Sequence, residues 1–488
     1  MNKINVLNST LQPIVSLKRQ YWLFTKQPRN VGLLLVFLLA GVYGLYQGFV
    51  FKKKQITTIE AFKTDKLSKL SKSVKGFDAD TTKPEGKAAF EDVSDIRSSS
   101  WSINLPTHKT PISTAIFIIG QADIFPYYYT IKLESFFMQL FKQGEIANPL
   151  RSLAGHFDVS FWLIFLLPLL IIILTFNALS AELDNGNWRL INSQGISAKA
   201  WLLSKFRFVG LLLEILVSVV FVGGIAVNYF YFHQAPTVND FLFFVGTHLY
   251  LILWLSALYF INSLGKTTST NALYSGIFWT ISCLVLPTLV TMLIEKTVKV
   301  DNTAISRMSR RPQGSKFEND SFGIATLKQL GEAHPQYKNA SMNPQNPYFK
   351  YAIYTAFHEL MDDSNSVAVK KYYAAIETRQ QLTNVSCFIN PAAAVDGLFS
   401  GLAQNDAFAN HQFVWQTKDL HAKYHAIFLP VLFSEGKLTK QNYLDLPKFP
   451  TQNAASFSLI LFLNYVFLVL AAGLLYGFGN RKLGQLMS

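Results

Sequence analysis

A chain of 488 residues that is 50% hydrophobic and 15% charged, with 41 Phe and 21 Tyr, is too apolar for an ordinary soluble protein, where about 25% of residues are charged. Its formal charge of +14 could suggest nucleic acid. In so apolar a chain it reads instead as basic flanks facing anionic membrane lipid, and no nucleic-acid partner is expected.

In chain order, Ile14, Leu17, Tyr21 and Phe24 recur at helical spacing, with Lys18, Arg19 and Lys26 off that stripe and Pro28 ending it. Residues 1–30 are therefore expected to hold a short amphipathic helix lying in the cytoplasmic interface. Six apolar runs follow, each long enough to cross a hydrocarbon core of about 30 Å as a helix. They are Val31–Val50, Val159–Leu179, Phe208–Phe230, Phe241–Leu264, Ala272–Ile294 and Ala455–Phe478. The first is long enough to span and lacks a small-residue cleavage site, so a retained span is expected and no cleaved signal peptide. The cysteines, Cys283 in the fifth run and Cys387 in a polar segment, are not expected to pair and say nothing about redox compartment.

Lys3, Lys18, Arg19, Lys26 and Arg29 precede the first run without an acid, which predicts a cytoplasmic N-terminus. Six spans return the tail at 479–488, with Arg481 and Lys482, to the same side. Residues 51–158 and 296–454 then form two extracytoplasmic domains, while 180–207 and 265–271 are cytoplasmic. Lys52, Lys53 and Lys54 oppose the charge rule locally, although long segments translocate largely regardless of charge. The expected fold class is membrane all-α, with the first external domain mixed and the second mainly α. In the first, a basic helical start (Lys52–Lys75) precedes a Ser/Thr/Lys-rich stretch, a β-branched run (ISTAIFII) and DIFPYYY, whose Tyr127, Tyr128 and Tyr129 are expected in its core. In the second, Ser364-Asn365 is expected to open one helix towards Val385, and Asn405-Asp406 to cap another towards Leu429. The prolines of Leu446–Pro450 punctuate the return to the membrane.

Between the second and third runs lies SAELDNGNWRLINSQGISAKAWLLSKF, residues Ser180 to Phe206. Gly186 permits a turn, Trp188–Ile191 starts a short amphipathic piece, Ser193–Ser197 breaks it, and Ser197 can cap the next helix. Helix, elbow, short helix, elbow, helix is the expected sequence of elements. A rigid protruding piece of this kind can seat in a groove of a soluble partner.

This stretch, with the LPLLIIILTFNAL before it, resembles the permease subunits of type-2 ABC transporters. The resemblance is carried by Glu182, Gly186, Leu190, Ser193, Gln194, Gly195, Ser197 and Lys205. It departs at Trp188, where a small hydroxyl residue is more usual, and at Asp184-Asn185, where Arg-Glu is common. GHFDVSFWLIFLLPLL, SRRPQG, NPAAAVDGLFSGLAQNDAFANHQF and YLDLPKF resemble a branch with two large external domains, related to permeases of nitrous oxide reductase maturation. The resemblance implies a bacterial inner-membrane protein that pairs with a second permease half, as a homo- or heterodimer. It implies that the elbow receives the closure of a separate cytosolic ATPase. ATP and Mg would sit on that ATPase, and no cofactor in this chain. Export or extraction of a substrate is the implied activity. The alternatives are a mechanotransmitter working on an envelope partner through the external domains, and a non-motor scaffold or receptor.

Other constellations are weaker. Leu264–Thr268 ends in Gly-Lys-Thr, but a phosphate loop needs a glycine five residues before Gly265, where Phe260 stands. Phe357-His358-Glu359-Leu360-Met361-Asp362 approaches a zinc-protease helix but has Asp362 where the second His must be. His421 and His425 could share a helix face as a metal pair, although packing roles are commoner. No acid, base and nucleophile set points to an enzyme. Within the runs, Glu214 is a carboxylate costing about 2.5–3.5 kcal/mol on insertion scales, with Gly210 and Ser218 one turn away on either side. Ser218, His248 and Asn464 are the other intramembrane polar residues expected to face the bundle. Pro168 and Pro287 free carbonyls that need partners there.

Overall fold

A computed structural model describes residues 17–102, 104–142, 157–301, 319–340, 342–434, 436–448 and 459–485. Six of its helices are long and apolar enough to cross a membrane, and the chain is a multi-pass membrane protein, predominantly helical. Ile14, the SRRPQG motif, Phe449-Pro450 and the first residues of the last apolar run lie outside the described residues.

Helix α1 (Leu17–Thr25) lies beside the bundle through an edge-to-face contact of Phe24 with Phe208 at 5.5 Å. Pro28 then opens α2 (Pro28–Gly76), so the first span and the basic segment after it are one helix of 49 residues. At 1.5 Å per residue it is about 74 Å long. The lower half of α2 meets the second span through glycines. A Cβ at Gly41 would lie 2.8 Å from the Trp162 ring, one at Gly44 would lie 2.8 Å from the Asp158 carbonyl carbon, and one at Gly48 would collide with the Ile116 carbonyl oxygen. Small residues at helical spacing let backbones approach closely.

After α3 (Pro84–Ser94) and α4 (Ile96–Ser102), strands β1 (Leu105–His108) and β2 (Tyr128–Ile131) pair antiparallel, from Leu105 opposite Ile131 to His108 opposite Tyr128. The β-branched run between them is not a strand. Ser113–Ile116 forms a 3₁₀ turn, and Ile116, Phe117 and Ile118 are buried in the main membrane core. Phe117 stacks on Phe221 and Phe243. The run's apolar side chains fill the end of the bundle from which the inserts leave.

Helix α5 (Phe136–Lys142) precedes the second span, α6 (Val159–Asp184). In α6 the residues before Pro168 form a π-helical turn, Trp162–Leu166, and the freed Ile164 carbonyl accepts the Tyr250 hydroxyl at 3.0 Å. Phe165 oxygen accepts from Trp279 Nε1 at 3.1 Å. A second π-turn, Ile281–Val285, stands before Pro287. A π-turn thus precedes each proline, and at Pro168 the loose carbonyls are satisfied by neighbouring helices.

Helix α7 (Trp188–Ser193) belongs to the elbow. The remaining spans are α8 (Ala198–Tyr231), α9 (Val238–Ser263) and α10 (Thr268–Thr297), followed by α11 (Asp320–Ala333) and α12 (Phe349–Ser386). Helices α13 (Pro391–Leu402), α14 (Ala407–Phe433) and α15 (Lys440–Leu444) complete the second insert before the last span, α16 (Leu459–Gln485).

Asp406 caps α14, accepting from Ala409 N at 2.9 Å, as expected. Ser364-Asn365 does not open a helix: α12 runs through it from Phe349. Ser364 Oγ bonds back to Met361 O, and Ser366 Oγ to Asp363 O, which lets hydroxyls sit inside a helix.

Two external domains were expected, but the two inserts share a core. Val93, Ile96, Ile131 and Leu133 of the first cluster with Leu327, Leu330, Ile353, Leu420, Tyr424 and Phe428 of the second. Tyr443 OH donates to Val93 O at 2.6 Å, and Leu438 N to Ser94 O at 2.9 Å. Tyr129 is buried against Phe413. The second departure is α13. It reads as external in sequence, yet Leu398, Phe399 and Leu402 belong to the membrane core, and Phe399 stacks on Phe243 at 4.0 Å. Its 12 residues reach about 18 Å, too short to span, so hydropathy over a span-length window cannot reveal it.

Candidate functional site: the elbow and the polar groups behind it

The elbow is built from two left-handed glycines. Gly186 has φ +73° and Gly195 φ +77°, values that cost a residue with a Cβ but suit glycine. Between them α7 has no buried residue, and Leu190 is 66% exposed. After Gly195 the chain is anchored again: Ile196 and Leu202 are buried, and Ser197 Oγ caps α8 by accepting from Ala200 N at 3.2 Å. Ser193 Oγ turns back to Leu190 O at 2.8 Å, and Gln194 is exposed beside it.

Both ends of the elbow are braced. Lys205 Nζ lies 3.5 Å from Glu182 Oε1 and over the Trp201 ring at 4.8 Å. Trp201 Nε1 donates to Ala178 O at 3.2 Å. Asn187 Nδ2 contacts Glu182 Oε2 at 3.4 Å. Of the eight elbow residues singled out in sequence, Glu182 and Lys205 therefore meet, Gly186 and Gly195 make the bends, Ser193 and Ser197 shape helix ends, and Leu190 and Gln194 face outward.

Sequence reasoning missed two fasteners here. Asp184 Oδ2 accepts from Thr268 N at 2.8 Å, and Thr268 Oγ1 bonds Ser180 Oγ at 3.0 Å. The carboxylate sits at the N-terminus of α10, where the helix dipole favours an anion. The Gly-Lys-Thr resembling a phosphate loop is thus a helix start: Gly265 is left-handed at φ +61° and Thr267 caps α10. The second fastener is buried Asn262, whose Nδ2 donates to Thr175 O at 3.0 Å and whose Oδ1 faces Leu179 N at 3.4 Å. It satisfies backbone at the break in α6. An asparagine at a span end carries no sequence signal for this role.

Deeper in the bundle, His248 Nε2 is 3.3 Å from Glu214 Oε1 and 3.5 Å from Ser218 Oγ. His248 Nδ1 lies 2.6 Å from Phe244 O, which fixes the Nδ1–H tautomer and turns Nε2 towards the carboxyl. Three of the four intramembrane polar residues thus form one cluster. Glu214 also lines a groove of about 340 Å³ between α8 and α9, with Arg207, Gly210, Leu255, Tyr259 and Tyr476. Asn464 stands apart near the start of α16, 1% exposed.

At the end of the bundle that bears the inserts, Lys52 is fully buried. Its Nζ donates to Asn228 Oδ1 at 2.7 Å and Gln234 Oε1 at 2.6 Å, and reaches Ser113 O at 3.4 Å. One of the three lysines that oppose the charge rule is therefore an internal tie between α2, α8 and the 3₁₀ turn.

The remaining constellations are structural. Asp362 accepts from Ser135 Oγ and from Phe136 N at 2.6 Å, capping α5. Glu359 Oε1 meets His425 Nδ1 at 2.5 Å, and His425 Nε2 lies 3.2 Å from Lys132 O. His421 shares the face, its ring 3.8 Å from that of His425, but its Nε2 is spent on Glu134 O at 2.9 Å. Burial holds the His421 imidazole well below its ordinary range, with His425 adding to the effect. Among the described residues no three potential ligands converge on a metal position.

A family model described as a domain of unknown function (DUF3526) matches residues 303–452, the second insert from before α11 through α15. No curated protein matches the chain, and no solved structure does.

Proposed function

We propose that this chain is the membrane-spanning subunit of a type-2 ABC transporter in the bacterial inner membrane, with both termini and the elbow in the cytoplasm. The observation that carries this reading is the elbow: a rigid exposed helix between two left-handed glycines, braced by Glu182–Lys205 and continuous with the 34-residue α8. Closure of a cytosolic ATPase would press α7, and α8 would carry the displacement past Glu214 to the outer end of the bundle. Asp184–Thr268 would pass part of it to α10. A second permease half completes the transporter, ATP and Mg belong to the ATPase, and the work done is export or extraction of a substrate.

Co-purification of the detergent-solubilised chain with its ATPase tests this. Glu182→Lys and Leu190→Glu, the latter at a side chain 66% exposed, are each expected to cut ATPase recruitment or stimulated turnover at least tenfold while thermal stability is kept. Survival of both activities in both variants sinks the coupling assignment.

A second reading, a mechanotransmitter acting on an envelope partner, is favoured by α2. A single helix of 49 residues joins the bundle to the external body and would convey force to it. Turnover of the complex with no solute moved, but with an envelope partner bound to the external body, selects it.

A further inference from the structure

A cavity of about 350 Å³ lies where five elements meet at the outer end of the bundle: the end of α12, α13, the α13–α14 turn, the start of α14, and α16. Its size falls within the range of small-molecule sites, roughly 300–1,000 Å³. The polar part of its wall is mostly side-chain amide: Asn384, Gln404, Gln412 and Asn464. Asn464 is 1% exposed, and its Oδ1 accepts no hydrogen bond among the described residues. Asn384 Oδ1 is already taken by Gln380 Nε2 at 3.2 Å, which leaves its NH₂ as a donor.

The one carboxyl in the wall, Asp406, has one of its two oxygens engaged. Its Oδ1 caps α14, and the Lys109 cation acts on it while donating to Gln404 O. What remains to a ligand is the amides and the second Asp406 oxygen, donors and acceptors together, the pattern that matches hydroxyl groups. Phe408 gives an aromatic wall, Gly397 and Gly401 leave the floor low, and Ile460 and Leu461 make the side towards α16 apolar.

We propose that this cavity binds a neutral polyhydroxylated group, a sugar ring, with its apolar edge towards α16. The group could belong to a lipid headgroup or to a free saccharide, since both offer the same hydroxyls. The site is independent of the elbow.

The test uses the full chain in nanodiscs without ATPase, so its failure leaves the coupling reading untouched. Hydrogen exchange of residues 397–412 is followed with glucosyl-diacylglycerol in the bilayer, with plain diacylglycerol, with maltose in solution, and with triglycine. One sugar probe is expected to slow exchange at least threefold, and which one does so identifies the source. Gln412→Ala at the rim and Asn464→Leu at the base should weaken that probe tenfold. Ala409→Trp, which fills the cavity, should abolish protection with the thermal midpoint retained. No protection by either sugar, equal protection by plain diacylglycerol, stronger protection by triglycine, or protection indifferent to all three variants overturns the proposal.

Discussion

Lys52 and Asp362 are charged side chains on which buried structure depends. Replacing Lys52 by Met strands the acceptors of Asn228 and Gln234 at about 1–3 kcal/mol for a buried acceptor left empty. Lys52→Met should therefore unfold earlier in detergent. Asp362 tests a titration. Burial raises its carboxyl to about 6, against the opposing pull of the Ser135 hydroxyl and the Phe136 amide. The unfolded value is near 3.9, so the folded state holds the extra proton between the two. This group's contribution is fully favourable below about pH 4, falls as pH rises through 6, and is level above. The difference in stability between wild type and Asp362→Asn should thus vary by up to about 3 kcal/mol across pH 4–7, measured by thermal unfolding.

Helix contacts in the bundle rest on backbone proximity and on carbonyls that prolines release. Gly48 and Gly276 are both helical glycines, but only Gly48 faces a neighbour; a Cβ at Gly276 meets nothing within 4 Å. Gly48→Ala should lose about 1–3 kcal/mol through overpacking, while Gly276→Ala should be neutral or stabilising by less than about 1 kcal/mol. The same assay reads the π-turn. Tyr250→Phe removes the donor to Ile164 O and should cost about 1–3 kcal/mol. In a Pro168→Ala background, where the lost backbone N–H returns, the cost should shrink.

Across the whole molecule, both inserts lie on one side of the bundle and the elbow on the other. That arrangement follows from six helices long and apolar enough to cross a membrane and from the core that the two inserts share. With the elbow in the cytoplasm, Leu190→Cys should react with a membrane-impermeant maleimide only in inverted vesicles, and Lys69→Cys only in right-side-out cells. The reverse result would place the elbow out of reach of any cytosolic ATPase. The body formed by the two inserts is coupled to the spans at three places: α2, the Lys52 tie, and α13 against α9.

Six spans, the elbow with its two glycines, the Ser197 cap and the Asp406 cap were legible in the residues, because each depends on local pattern: run length, φ at glycine, a hydroxyl or carboxylate before a helix. Glu214 and His248 were legible as polar residues in apolar runs, but not as neighbours. Their meeting is set by the packing of α8 on α9. The roles of Asn262 and Asp184, the burial of Lys52 and the cap made by Asp362 were likewise not legible, since each joins segments far apart in sequence. Span-length hydropathy cannot show a 12-residue helix entering the bundle, nor the fusion of two inserts into one body. Local propensity and apolar run length determined the six helices long and apolar enough to cross a membrane. Only the tertiary structure decided which buried polar groups satisfy one another, because a hydrogen bond is met by whatever the fold brings within about 3 Å.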